Sequence, residues 1–280
     1  MHARRRLFFA AWALPMPVWL SLFFVAPLVL LVTISFWQVR NFRLQPDFTV
    51  DAWLRMLGAD FFWQSLIRSV VLSGSAAAIL TVLAFPMSYA IAFVLDQGRR
   101  LIVLGLLIVP FFTSYLVRIY SWQTFLSEQG LFGTVAGHFG FADASALNTV
   151  FALMVGYGTL ALPIVVILQT ISLLSIDRVL IDAAYNLRCR PSRTFTSVIL
   201  PAARPGLVLG ALFAFILTFG DFVSPLYLGG GTYTTLPILI TDTVRSGQQW
   251  PRAAVVSIAM ILTLLLAGLA ALRLAYHRKG

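Results

Sequence analysis

An all-α integral membrane protein, with six transmembrane helices and both termini in the cytoplasm, is the fold class this sequence predicts. Three observations predict it. Of 280 residues, 60% are hydrophobic and 11% charged, against about 25% charged in soluble domains; the mean hydropathy is +0.90. Six apolar runs each supply the ~20 residues a helix needs to cross the hydrocarbon core. Basic residues gather on alternate connections between those runs.

The first run, Leu14 to Trp37, follows Arg4, Arg5 and Arg6. That start has the look of a signal peptide, but no small-residue cleavage site follows at the right distance, so it reads as an uncleaved span. Gln38 to Trp63 is a mixed-charge extracytoplasmic loop with Pro46 and a short interfacial helix. The second run, Ser65 to Leu95, carries Gly74 and Pro86, and a proline there predicts a kink whose freed backbone groups neighbouring helices satisfy. Asp96-Gln97-Gly98-Arg99-Arg100 is a cytoplasmic turn before the third run, Leu101 to Phe125. Ser127 to Asn148, glycine-rich and nearly free of basic residues, lies outside and leads to the fourth run, Thr149 to Leu174. A polar interval precedes the fifth run, Leu207 to Leu228, which ends in Gly229-Gly230-Gly231 and so permits an abrupt turn. Arg252 to Leu272 is the sixth. With no internal repeat, residues 1–280 read as one transmembrane domain.

Arg4 to Arg6, Arg99, Arg100, Arg178, Arg188, Arg190, Arg193, Arg204, Arg273, Arg278 and Lys279 fall on one side of the membrane; Arg40, Arg43, Arg55, Arg68, Arg118, Arg245 and Arg252 fall on the other. The positive-inside rule makes the richer side cytoplasmic. The net charge of +10 is therefore a topology signal and not a nucleic-acid footprint. The single cysteine, Cys189, excludes an internal disulfide framework, and His2, His138 and His277 are too scattered for a metal site.

Two enzyme classes are disfavoured. The one lysine is Lys279, so a Walker A motif, GxxxxGK[ST], is absent and the chain is no P-loop ATPase. An intramembrane aspartyl protease needs two facing acids, whereas Asp221 is the only acid inside the spans and Phe219-Gly220-Asp221 lacks the first glycine of GxGD. An ion-driven secondary transporter remains an alternative, against which the scarcity of buried ionisable groups speaks.

The interval from Ser175 to Pro205 stands out between spans. Ile176, Leu180, Ala184 and Leu187 recur at helical spacing from a start near Ser175 or Asp177, and Pro191 stops that helix and opens a second one towards Pro201. Two readings fit: a helix-in-groove contact with a soluble partner, or an amphipathic hairpin held to lipid headgroups by its arginines. The residues Asp182-Ala183-Ala184, Arg188 and Val198-Ile199-Leu200-Pro201 decide between them. They resemble, at matching spacing, the EAA loop of ABC importer membrane subunits, with aspartate for glutamate and Arg188 at the glycine position. Pro110 to Trp122 (PFFTSYLVRIYSW), Phe219 to Gly230 (FGDFVSPLYLGG) and Gln249 to Ala254 (QWPRAA) narrow the resemblance to permeases of the spermidine/putrescine type.

That resemblance implies a type I ABC importer permease fold in the bacterial inner membrane. It also implies a second homologous permease chain, two ATPase subunits that hold ATP and Mg, and an extracytoplasmic solute-binding protein; this chain itself would need no cofactor. Asp182, Ala183, Ala184, Leu187, Arg188, Leu200 and Pro201 would form the ATPase-coupling element. If the Arg188 position needs a positive φ, its side chain costs about 1 kcal/mol. The cargo would be a polyamine or another small nitrogenous solute. For such a cation, a carboxylate among aromatic faces is the expected chemistry, so Asp221 with Tyr115, Tyr120, Trp122 and Tyr227 are the candidate pathway residues. Asp221 also has structural readings: a pair with Arg118, or the cap of a broken helix.

Overall fold

The computed structural model describes residues 15–41, 43–139 and 145–276. Leu14, the histidines His2 and His277, and the basic residues Arg4, Arg5, Arg6, Arg278 and Lys279, which bear on orientation, lie outside them. In chain order the elements are α1 (Pro15–Ile34), the antiparallel ribbon β1 (Gln38–Arg40) and β2 (Arg43–Gln45), α2 (Asp51–Leu57), α3 (Asp60–Val94), α4 (Gln97–Phe112), α5 (Tyr115–Leu126) and α6 (Leu131–His138). They continue with α7 (Val150–Leu174), α8 (Arg178–Asn186), α9 (Pro191–Phe219), α10 (Val223–Tyr227), α11 (Leu236–Gly247) and α12 (Trp250–Tyr276). By length and apolar character α1, α3, α7, α9 and α12 are each able to cross a membrane, and α4 with α5 and α6 counts as a sixth when the bent pair is taken as one span.

That sixth span is bent by 91°, where the sequence reads as one run from Leu101 to Phe125. Pro110 brings no N–H to the helical ladder. The chain tightens into a 3₁₀ turn over Val109–Phe112 and is extended at Thr113 and Ser114. Thr113 closes the turn, its N–H and its hydroxyl both donating to the Pro110 carbonyl at 3.3 and 2.9 Å.

A second departure lies at Pro191. The helix opened there does not end at Pro201 but runs unbroken as α9 to Phe219, with Pro201 and Pro205 inside it. A proline clashes with the carbonyl four residues back and offers it no N–H. A π-turn at Phe195–Ile199, just before Pro201, loosens the ladder where that clash would fall.

Packing divides the chain into two units, Met1–Gln64 with Leu239–Leu262 and Ser65–Ile238 with Thr263–Gly280. In the first unit Trp53 packs against Phe36, ring centroids 6.1 Å apart, and its Nε1 donates to Ser35 Oγ at 3.2 Å. In the second unit the main seam joins α7 and α9. Ala203, Gly206, Gly210, Ala214 and Thr218 form a buried stripe of small residues along α9. A Cβ on Gly206 would lie 2.0 Å from Ser172 Cβ, so only glycine allows this approach. Gly206-Leu207-Val208-Leu209-Gly210 is thus a small-xxx-small contact, the means by which helices pack where lipid removes any hydrophobic drive between them. Gln169, fully buried on α7, donates from Nε2 to the Thr81 carbonyl of α3 at 3.0 Å and ties those two helices together.

Candidate functional site

The polar element between α7 and α9 begins at Asp177, whose carboxylate accepts from the Val179 N–H at 2.9 Å and caps α8. Ile176 and Ala184 are buried, Ile176 among Ala92, Leu173, Ile199 and Ala203. Leu180 and Leu187 are exposed, so the single apolar face expected from their spacing is split. Ile176 and Ala184 anchor the element, while Val179, Leu180, Tyr185 and Leu187 present apolar surface outward beside exposed Asp182 and Ala183.

α8 ends in a Schellman turn. The Cys189 N–H bonds to the Ala184 carbonyl at 3.0 Å and the Arg188 N–H to the Tyr185 carbonyl at 2.8 Å. Arg188, between them, has φ +53°. At the position where the resemblance expects glycine, this chain has left-handed backbone under an arginine. Arg188, Arg190 and Arg193 line a shallow basic recess beside the turn. Leu200 and Pro201 are exposed at the start of the straight part of α9.

The second cluster forms where α9 stops. Gly220 closes the helix with its N–H on the Ile216 carbonyl. Asp221 then turns its carboxylate forward, accepting from the Val223 N–H at 2.9 Å and the Ser224 N–H at 3.2 Å, which starts α10. Tyr115 donates to Asp221 Oδ2 at 2.7 Å and sits 2.5 Å from Ser224 Oγ. A carboxylate only accepts, so the phenol proton goes to Asp221 and Ser224 donates to the phenol oxygen. Beyond α10, Gly230 at φ +56° turns the chain against Asn148, whose Oδ1 occupies the space of any Cβ.

Arg118 does not pair with Asp221. Its Nη1 donates to the Thr159 carbonyl at 3.0 Å and its guanidinium lies 5.7 Å from the Tyr115 ring centroid. Tyr115 thus stands between a cation on its face and a carboxylate at its hydroxyl. Tyr120 and Tyr227 pack against each other with centroids 4.9 Å apart and ring planes tilted by 59°. Trp122 packs edge-on to Phe125 and belongs to the same apolar cluster as Tyr115 and Tyr227. The structure therefore brings Tyr115 to Asp221 and Tyr120 to Tyr227. Ser224, absent from the residues singled out by sequence, joins the network; its signal was its place three residues after Asp221, where a capping acid's helix begins.

Residues 94–277 match the family described as binding-protein-dependent transport system inner membrane component, which is most of the chain. The chain belongs to that family. This permease subunit is 29% identical over 253 residues to the spermidine/putrescine transport system permease protein PotB of Haemophilus influenzae, covering 89% of the chain and 87% of the relative. It is also 26% identical over 240 residues to the permease protein PotC of the same organism, covering 86% and 87%. Its backbone matches a chain of a bacterial ABC transporter involved in the import of the acidic polysaccharide alginate, with TM-score 0.80, 18% identity and coverage of 99% and 98%. The permease thus has the fold of an ABC importer membrane subunit.

Proposed function

We propose that this permease forms half of the translocation pathway of an ATP-driven importer for a cationic polyamine delivered by a solute-binding protein. The observation that carries the cargo is its similarity, over nearly the full length, to a spermidine/putrescine permease. The fold does not choose the cargo, since a structural neighbour serves an acidic polysaccharide. Similarity to both PotB and PotC supports a heterodimer with a second, homologous permease chain.

The exposed apolar face of α8 and the basic recess at Arg188, Arg190 and Arg193 suit the acidic-rimmed groove of a soluble partner. Two ATPase subunits, holding ATP and Mg, dock there on the cytoplasmic side, where both termini also lie. Asp182, Ala183, Ala184, Leu187, Arg188, Leu200 and Pro201 form the contact. Because Pro191 to Phe219 is one helix, a push on this element moves the α9 end that holds Asp221. ATP binding and release then bias two arrangements of the spans.

Along the pathway Asp221 supplies negative field within the membrane, while its two oxygens stay engaged by Val223, Ser224 and Tyr115. Tyr120, Tyr227 and Trp122 offer the aromatic faces that attract a passing cation. The test is purification with the neighbouring transport genes' products. An ATPase should co-elute, and polyamine with its binding protein should stimulate ATP hydrolysis and uptake into vesicles. Uptake by this chain alone under an ion gradient, without ATP, would overturn the reading.

A further inference from the structure

A polar cleft of about 270 Å³ opens in the first unit, between the segment that follows α1 and the start of α12. Its walls include Trp37, Arg40, Asp51, Arg55, Gln249 and Arg252. Two of the three arginines are matched: Arg55 by Asp51 at 2.8 Å and Arg40 by Asp47 at 3.5 Å. Arg252, half-buried, lines the cleft without a carboxylate partner among the described residues. Trp37 adds a buried Nε1–H that has no acceptor among the described residues. The cleft also faces the first turn of α12, where the helix dipole favours negative charge.

An unmatched guanidinium in a concave, polar site calls for an acceptor that the chain itself does not bring. We infer that the cleft receives an aspartate or glutamate side chain of the solute-binding protein, with Arg252 as its hydrogen-bond donor. This rests on the function proposed above and on the orientation that puts residues 38–63 and the start of α12 outside. Charge complementarity selects the occupant: an excess of fixed positive charge in walls that are polar suits a hydrated protein carboxylate. It also gives a role to Gln249-Trp250-Pro251-Arg252, a motif that neither the cytoplasmic element nor the Asp221 cluster uses.

The experiment measures affinity of the purified binding protein for the complete transporter in nanodiscs of zwitterionic lipid, and again with anionic phosphatidylglycerol added. Arg252→Glu should weaken binding about tenfold or more, while Arg252→Lys, which keeps the charge, should stay near wild type. The Arg252 effect should shrink at high salt. One acid-to-lysine substitution on the binding protein should restore affinity to Arg252→Glu, an outcome that a misfolded variant does not give. Wild-type affinity in Arg252→Glu overturns the inference, as does an Arg252 effect seen only with phosphatidylglycerol, which would assign the cleft to a lipid headgroup. A wild-type transporter that binds no solute-binding protein at all would instead defeat the functional reading on which the inference stands.

Discussion

Arg188 has φ +53°, a region that costs a side-chain-bearing residue about 1 kcal/mol. The Schellman turn closed by Cys189 and Arg188 keeps the chain there. Arg188→Gly should therefore stabilise the subunit by about 1 kcal/mol, read as a rise of about 2–4 °C in the thermal midpoint. An unchanged midpoint would show that the strain is absorbed elsewhere. If the guanidinium also meets the ATPase, the same variant will lose coupled transport as it gains stability. At Asp221, asparagine keeps one acceptor oxygen and faces at least one N–H with a donor. Asp221→Asn should lower uptake while leaving complex assembly intact. Tyr115→Phe removes one bond to the carboxylate and leaves its charge. An effect on the KM for polyamine in Asp221→Asn but not in Tyr115→Phe would identify the charge as the working feature, and unchanged uptake in Asp221→Asn would assign the carboxylate to capping alone.

Helices α7 and α9 meet so closely at Gly206 that their seam tests the packing argument directly. Gly206→Leu drives a side chain into Ser172 and should cost about 1–3 kcal/mol, seen as lower yield of monodisperse protein and a lower thermal midpoint. Gly210→Ala, whose Cβ would meet Val165 Cγ1 at 3.3 Å, should cost markedly less. Equal losses would show that backbone proximity does not set the tolerance. On α8, Asp182 is exposed and makes no contact that anchors the helix, so Asp182→Lys should leave the fold intact and reduce ATPase association. Association and uptake both at wild-type level would remove the carboxylate from the docking contact.

The subunit as a whole is incomplete in an informative way. None of the apolar window of α1 is buried within the chain, against 44% of that of α7. Lipid or a second permease chain must cover it, since a helix hydrophobic all round has no aqueous face. Purified alone, this subunit should show no uptake under an ion gradient, and uptake should appear only with the partner permease, the ATPases and ATP. Ion-driven uptake by the isolated chain would return it to the secondary transporters.

The apolar helices and the turn at Arg188 were legible because each depends on neighbours in sequence: the length of an apolar run and the spacing from Asp182 to Pro201. The left-handed backbone under Arg188 was legible as a condition, and the structure met it. Pro110 and Pro201 show where such reading ends. Pro110 lies in an apolar run and Pro201 in the polar interval, yet the first accompanies a 91° bend and the second sits in an unbroken helix, because a 3₁₀ turn encloses the first and a π-turn precedes the second. Sequence also named Tyr115 and Asp221 without joining them. Their bond spans 106 residues and exists because the bend before α5 and the break after α9 meet in one place. Local chemistry thus set which segments become helices apolar enough to cross a membrane, while long-range packing alone decided which polar groups face each other inside.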